Sequence, residues 1–271
     1  MLSPLAYIHP DARLAPGVTV EPFTTIAADV EIGEGSWIGP NVTIMNGARI
    51  GQHCQVFPGA VVAGIPQDLK FAGEQTTAHI GDYTVLRECV TVNRGTVDRG
   101  ETRVGSHCLL QAYVHVAHDC HIGDHCVISN SVQIAGHVQV GDWAILGGTS
   151  AIHQFVSIGA HAFVGGGSLV RKDVPPFVKA AREPLTYAGV NSVGLRRRGF
   201  TDEQVATIQH LYRVLFLGGF NTQEALNRIE AEVAPTAERD FAVQFVRAAT
   251  RGIIKGPSKR KARDEEEESA D

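Results

Sequence analysis

The chain has 271 residues, of which 44% are hydrophobic, 20% charged and only 7% aromatic, with 29 glycines and a formal charge of −5. That length holds one large domain, or one domain and a small appendage, with enough apolar material for a sizeable core. The negative balance argues against a nucleic-acid binder held by a global positive field, and no apolar run approaches the ~18–20 residues of a bilayer span, so no membrane insertion is expected.

Residues 1–10 lack a basic start followed by an apolar stretch, so no secretory signal is read there. From Ile8 an aliphatic residue recurs every six positions: Leu14, Val20, Ile26, Ile32, Ile38, Ile44, Ile50, Val56 and Val62. The phase breaks, resumes at Ile80, Leu86 and Val92, breaks again, and then runs from Val104 to Val170. Four residues after these aliphatics the side chain is small or compact, as at Ser36, Cys54, Cys108, Cys126, Ala144 and Ser168. Six matches neither the 3.6-residue helix nor two-residue alternation. It suits short strands that turn a corner every six residues, three sides making a coil of about 18 whose neighbours bury a continuous apolar column.

This pattern resembles the hexapeptide signature of left-handed parallel β-helix acyltransferases over roughly the first 175 residues. The handedness comes from the resemblance alone, because general crossover rules favour the right-handed form. Cys54, Cys108, Cys120 and Cys126 occupy the small inward slot and Cys89 lies one position earlier, so packing explains them. With no CxxC pair, neither a disulfide scaffold nor a cysteine zinc site is expected, and a cytoplasmic location fits.

The two interruptions, 66–79 and 98–103, are expected to project as loops, where binding groups tend to sit; the first carries Asp68, Lys70 and Phe71. Beyond the repeats, Thr201 to Gln204 reads as a capping box, followed by Val205, Ile208, Leu211, Tyr212 and Leu215 at helical spacing. Gly218 and Gly219 end that helix, and further helices are expected over 222–232 and 238–251. The organisation expected is therefore a mainly β solenoid over 1–175, a C-terminal α-helical domain over 176–255, and a disordered charged tail over 256–271.

Twelve histidines is many for this length. The 18-residue coil stacks His107, His125 and His161, with Trp143 on the remaining rung, as an exposed column at a corner; His118, Gly136 and Gln154 form a second column. Three readings compete. Corner positions simply tolerate polar residues; or His115, His118 and His121 bind zinc, as in β-helical carbonic anhydrases; or His118, beside Asp119, works as an acid–base group near its ordinary pKa of about 6.5. In the third reading the Gly136 N–H, one coil above, faces a developing oxyanion.

The strings PQDLKFAGE (66–74), VTVNRGTV (90–97), HVAHDC (115–120), IAGHVQVGD (134–142), AIHQFVSIGAH (151–161), DVPPFV (173–178) and GVNSVGLRRRGF (189–200) resemble the UDP-N-acetylglucosamine acyltransferase family over residues 1–254. The resemblance implies a cytoplasmic, homotrimeric enzyme without metal or cofactor. Such an enzyme moves an (R)-3-hydroxyacyl group from acyl carrier protein to the glucosamine 3-hydroxyl of UDP-N-acetylglucosamine, the first step of lipid A synthesis. His118 matches the general base and Gly136 the oxyanion donor. Asp68, Lys70, His115, His137, His153 and Gln154 match positions lining the cleft, and Asn191, Arg197 and Arg198 those reaching the nucleotide. Gly166 falls at the acyl-length ruler, which implies a long chain of about C14 or more. Asn93 stands where better-known relatives carry histidine, and Val193 replaces an acidic residue. Basic residues after the repeat, from Arg171 to Arg198, suit an acidic carrier protein. The alternatives weighed are the later N-acyltransferase of the same pathway, a non-catalytic scaffold and a zinc enzyme of the carbonic anhydrase type.

Overall fold

The computed structural model describes residues 1–257; residues 258–271, nearly all of the expected tail, lie outside them. Two- to four-residue strands recur along the chain and stack into three parallel sheets, the faces of a left-handed triangular β-helix. Face I has nine strands, from Tyr7–Ile8 to Leu169–Val170; face II has eight, from Arg13–Leu14 to Ser157–Ile158. Face III begins at Thr19–Val20, continues through Phe163–Val164 and ends with a parallel strand, Val178–Ala181, and an antiparallel one, Thr186–Val190. Strand partners such as His115 and Gln133, or Val127 and Ile145, lie 18 residues apart in sequence.

The period has a plain physical origin. Each hexad sends one aliphatic into the prism, and from Ile26 to Val170 these are almost completely buried; each such burial contributes roughly 1.5–3 kcal/mol. The small slot does more than save space. Thr24, Ser36 and Thr84 each donate a hydroxyl to a carbonyl of the next coil, at 2.6, 2.8 and 2.7 Å. Cys108 and Cys120 do the same through sulfur, at 3.1 and 3.0 Å. Burial pushes the Cys120 thiol up to about 12, so it stays protonated and inert. The corner residue just before this slot adopts a left-handed φ, as at His53, Tyr83, His107, Asp119, His125, His137 and His161. Each such non-glycine turn costs about 1 kcal/mol, and the ladders and core on either side must hold it.

Beyond the last coil the chain forms α1 (Ser192–Arg197), α2 (Asp202–Leu217), α3 (Thr222–Glu232) and α4 (Ala237–Ala248). The capping box of α2 is present, with Thr201 Oγ1 accepting from Gln204 N and Gln204 Oε1 accepting from Thr201 N. Its apolar stripe is buried as the spacing predicts, and the Tyr212 hydroxyl donates to Pro176 O at 2.7 Å, tying the helices to the end of the solenoid. α1 and the antiparallel strand were not expected. Residues 77–79 and 101–103, placed in projecting loops by the broken phase, instead lie in face II strands Thr77–Ile80 and Glu101–Val104; the excursions are 65–76 and 94–100. No helix among the described residues is long and apolar enough to cross a membrane.

Candidate active site

Both excursions leave the same corner. The chain passes from face I to face II at 65–76, at 94–100, at 117–120, at 135–138 and at 153–156, and the face I strands that feed these turns are adjacent in the sheet. One edge of the prism therefore gathers Asp68 and Lys70, then Asp119 and His118, then Gly136 and His137, then His153 and Gln154. The loops are tied to one another, since the Arg94 guanidinium sits 5.3 Å from the centre of the Phe71 ring and Asn93 Nδ2 donates to Ile65 O at 3.1 Å. Asn93 Oδ1 is buried without a partner.

His118 is the centre of this edge. Its Nδ1 lies 2.7 Å from Asp119 Oδ2, and its ring packs on Gly136 so closely that a Cβ there would come within 2.7 Å of Cε1 and 2.8 Å of Nε2. Among the described residues the Gly136 N–H has no acceptor. Asp119 is 0% exposed. Burial alone would raise its carboxyl, but hydrogen bonds from His118 and from Thr96, with the charge of His137, outweigh it and hold the group below the usual carboxylate range. With an ionised Asp119 accepting from Nδ1–H, His118 Nε2 carries the free lone pair.

His137 stands edge-on to His118, with ring centres 5.2 Å apart, and stacks on Phe155 at 4.5 Å. Its Nδ1 lies 3.2 Å from Asp98 Oδ2 and its Nε2 3.8 Å from Asp119 Oδ2. His115, half-buried on face I, meets Thr91 Oγ1 at 2.7 Å; burial, then the charge of His118, lowers its pKa. His153 and Gln154 are exposed at the next turn. Asp68 Oδ1 accepts from Lys70 N, and the Lys70 side chain is exposed. Spacing arithmetic missed Thr91, Thr96 and Asp98, which contact the histidines or their carboxylate; their offsets of 24, 23 and 39 residues are not multiples of the 18-residue coil.

The zinc trio read from the sequence does not form, because the corner sends His115 to face I and His121 to face II, where His121 Nε2 approaches Glu101 at 3.6 Å. Another set, His118, Asp119 and His137, brings ligand atoms within 4.8 Å of one another. Its carboxylate is already saturated: Oδ2 accepts from Thr96 Oγ1 and His118, and Oδ1 from the amides of Thr96 and Arg99. The arrangement suits a hydrogen-bonded acid–base pair rather than an ion.

The remaining expected residues sit elsewhere on the prism. At the corner between faces II and III, His53, Tyr83, His107, His125, Trp143 and His161 stack in series, closed above by Phe177. The column is exposed only in its lower half and half-buried from His125 upward. Asn191 Nδ2 donates to His161 O at 3.0 Å, and Arg198 covers Trp143 and lies 3.2 Å from His161 Nδ1. Arg197 is exposed on α1. Gly166 lies at the third corner, where a Cβ would come within 3.2 Å of Gly148 O. One chain thus separates Asn191, Arg197 and Arg198 from His118 by the width of face II.

A hexapeptide-repeat prism with a histidine–aspartate pair at one edge defines a transferase of the bacterial hexapeptide class, and residues 29–64 and 101–136 match that repeat family. Residues 173–254 match the family described as UDP-N-acetylglucosamine O-acyltransferase, domain 2. The chain is 56% identical over 261 residues to an acyl-(acyl carrier protein)–UDP-N-acetylglucosamine O-acyltransferase from a Sulfurihydrogenibium species, covering 96% of each. Among solved structures, a UDP-N-acetylglucosamine acyltransferase from Bacteroides fragilis superposes with a TM-score of 0.93 at 46% identity, covering 94% of this chain and 100% of the other. One from Francisella novicida gives 0.93 at 35% identity, covering 96% of each. The chain belongs to the UDP-N-acetylglucosamine O-acyltransferase family.

Proposed function

We propose that the protein transfers an (R)-3-hydroxyacyl group from acyl carrier protein to the 3-hydroxyl of UDP-N-acetylglucosamine, the first acylation of lipid A synthesis, at the edge built around His118. The observation that carries this reading is the His118 Nδ1 contact with buried Asp119, which leaves Nε2 free beside Gly136, whose N–H has no acceptor among the described residues. Nε2 takes the proton of the sugar hydroxyl as its oxygen attacks the thioester carbonyl. The Gly136 N–H meets the resulting oxyanion. Collapse expels the carrier thiolate, which receives the proton back from the imidazolium, while Asp119 stays ionised throughout. No metal, cofactor or covalent intermediate enters.

Asp68, Lys70, His115, His137, His153 and Gln154 line the cleft, and Gly166, across face I, leaves room for a long acyl chain. Asn191, Arg197 and Arg198 serve the nucleotide, where guanidinium groups suit a pyrophosphate. They stand at another corner, so the site is completed between copies of a homotrimer, in the cytoplasm where carrier and nucleotide sugar meet. We divide the chain into a repeat solenoid over 1–175 and a C-terminal unit over 176–255 that opens with the two strands closing face III and continues as helices.

Mass spectrometry of products from UDP-N-acetylglucosamine with a series of 3-hydroxyacyl carrier-protein thioesters tests this. A singly O-acylated nucleotide sugar is expected, with a rate falling by roughly 10²–10⁴ in His118→Ala at unchanged folding. Product only with a 3-amino sugar would move the acceptor atom. No product with either acceptor would overturn the assignment.

A further inference from the structure

A carboxylate with no exposure to water, such as Asp119, persists as an anion only when its lone pairs are matched by donors. Apart from His118, those donors come from one short excursion. Thr96 N reaches Oδ1 at 3.0 Å, Thr96 Oγ1 reaches Oδ2 at 2.7 Å, and Arg99 N reaches Oδ1 at 3.3 Å. Thr96 is itself buried, and its hydroxyl accepts from Asp98 N at 3.3 Å, so the oxygen that donates to Asp119 is fixed from behind. The excursion is closed by Gly100 N on Thr96 O at 2.7 Å. From the other side, Thr102 Oγ1 accepts from Asp119 N at 2.8 Å and holds the left-handed turn. The break in the hexad phase therefore builds a clamp on the residue behind the catalytic imidazole.

We propose that Thr96 is a positioning residue for acyl transfer: its hydroxyl and amide aim the Asp119 carboxylate at His118 Nδ1, and so keep His118 in the tautomer whose Nε2 is free. This rests on the assignment of His118 as the base. Valine at position 96 keeps the shape and the amide but removes the hydroxyl donor, whereas serine keeps the donor. Charged and titratable groups near Asp119 are His118 on its own turn, His137 on the next coil with Asp98 beyond it, and Arg99 in the excursion, whose charge reaches Cys120 and His121. His121 and Cys120 follow Asp119 along the chain and also feel its charge.

The experiment measures kcat and KM across pH for the wild type, Thr96→Ser and Thr96→Val. In parallel, ¹⁵N spectra of histidine-labelled protein without substrate report the His118 tautomer. Thr96→Val is expected to lower kcat by about 10- to 100-fold with both KM values within about twofold. Its acid-side loss of activity moves to higher pH, because Asp119 has lost a donor to its charged form. Its His118 signals change from a single Nδ1–H tautomer to a mixture. Thr96→Ser stays within about threefold of wild type. An unchanged rate, pH profile and tautomer in Thr96→Val would overturn the proposal, as would equal damage in Thr96→Ser and Thr96→Val. Failure of the underlying assignment looks different: His118→Ala would then keep its activity, while the spectra would still report whether Thr96 holds the tautomer.

Discussion

Replacing Gly136 by alanine would place a methyl carbon within 2.8 Å of His118 Cε1 and Nε2, so the ring must shift from its place against Gly136. The expected outcome is a folded protein with an unfolding midpoint near that of wild type and kcat lowered by roughly 10–100-fold, since the base is displaced from the acceptor hydroxyl. Full activity in Gly136→Ala would show that the close contact has no part in the reaction. Gly136 and His118 were legible in the sequence because they differ by 18 and the repeat stacks such pairs. Thr96 and Asp98 were not, because they lie in the excursion where the phase is lost, and an excursion's hydrogen bonds are set by its own turn geometry. The left-handed φ of Asp119 was equally hidden; the repeat places Cys120 in the small slot, but only the structure shows that the residue before that slot takes the turn.

At the scale of the element, the ring column between faces II and III shows a consequence of the same arithmetic. Residues 18 apart stack face to face, with centres 4.9 Å apart for His107 and His125 and 4.0 Å for His125 and Trp143. At its upper end burial, with the Arg198 charge beside it, holds His161 down to about 4. Its Nδ1 lies against Arg198 Nη1. The unfolded chain takes up a proton on this residue near pH 6.5, whereas the folded chain does not until about 4. Stability from this group is therefore complete above that upper value and falls as pH drops through the window. Urea midpoints between pH 7 and 4.5 should fall more steeply in wild type than in His161→Gln, which has no proton to take up; parallel slopes would contradict this. The helices were legible from caps and apolar stripes. The strand pair Val178–Ala181 and Thr186–Val190 was not, because it ends the solenoid by pairing rather than by repeating, and α1 has a single buried residue, Leu195, too little to set a period.

For the whole molecule, the prism's three sets of expected binding residues fall on three different edges. A rotation of copies about an axis parallel to the solenoid can bring the His118 edge of one copy against the His161–Arg198 edge of the next, and in a closed ring each interface makes one such site. Mixing two inactive proteins, His118→Ala and Arg198→Ala, under conditions that exchange subunits tests this most directly. Random assembly supplies both intact edges at about a quarter of the interfaces, so the mixture should recover about a quarter of wild-type acyl transfer from two preparations with almost none. A mixture no more active than its components, with exchange verified, would contradict a site shared between copies and confine the chemistry to a single chain.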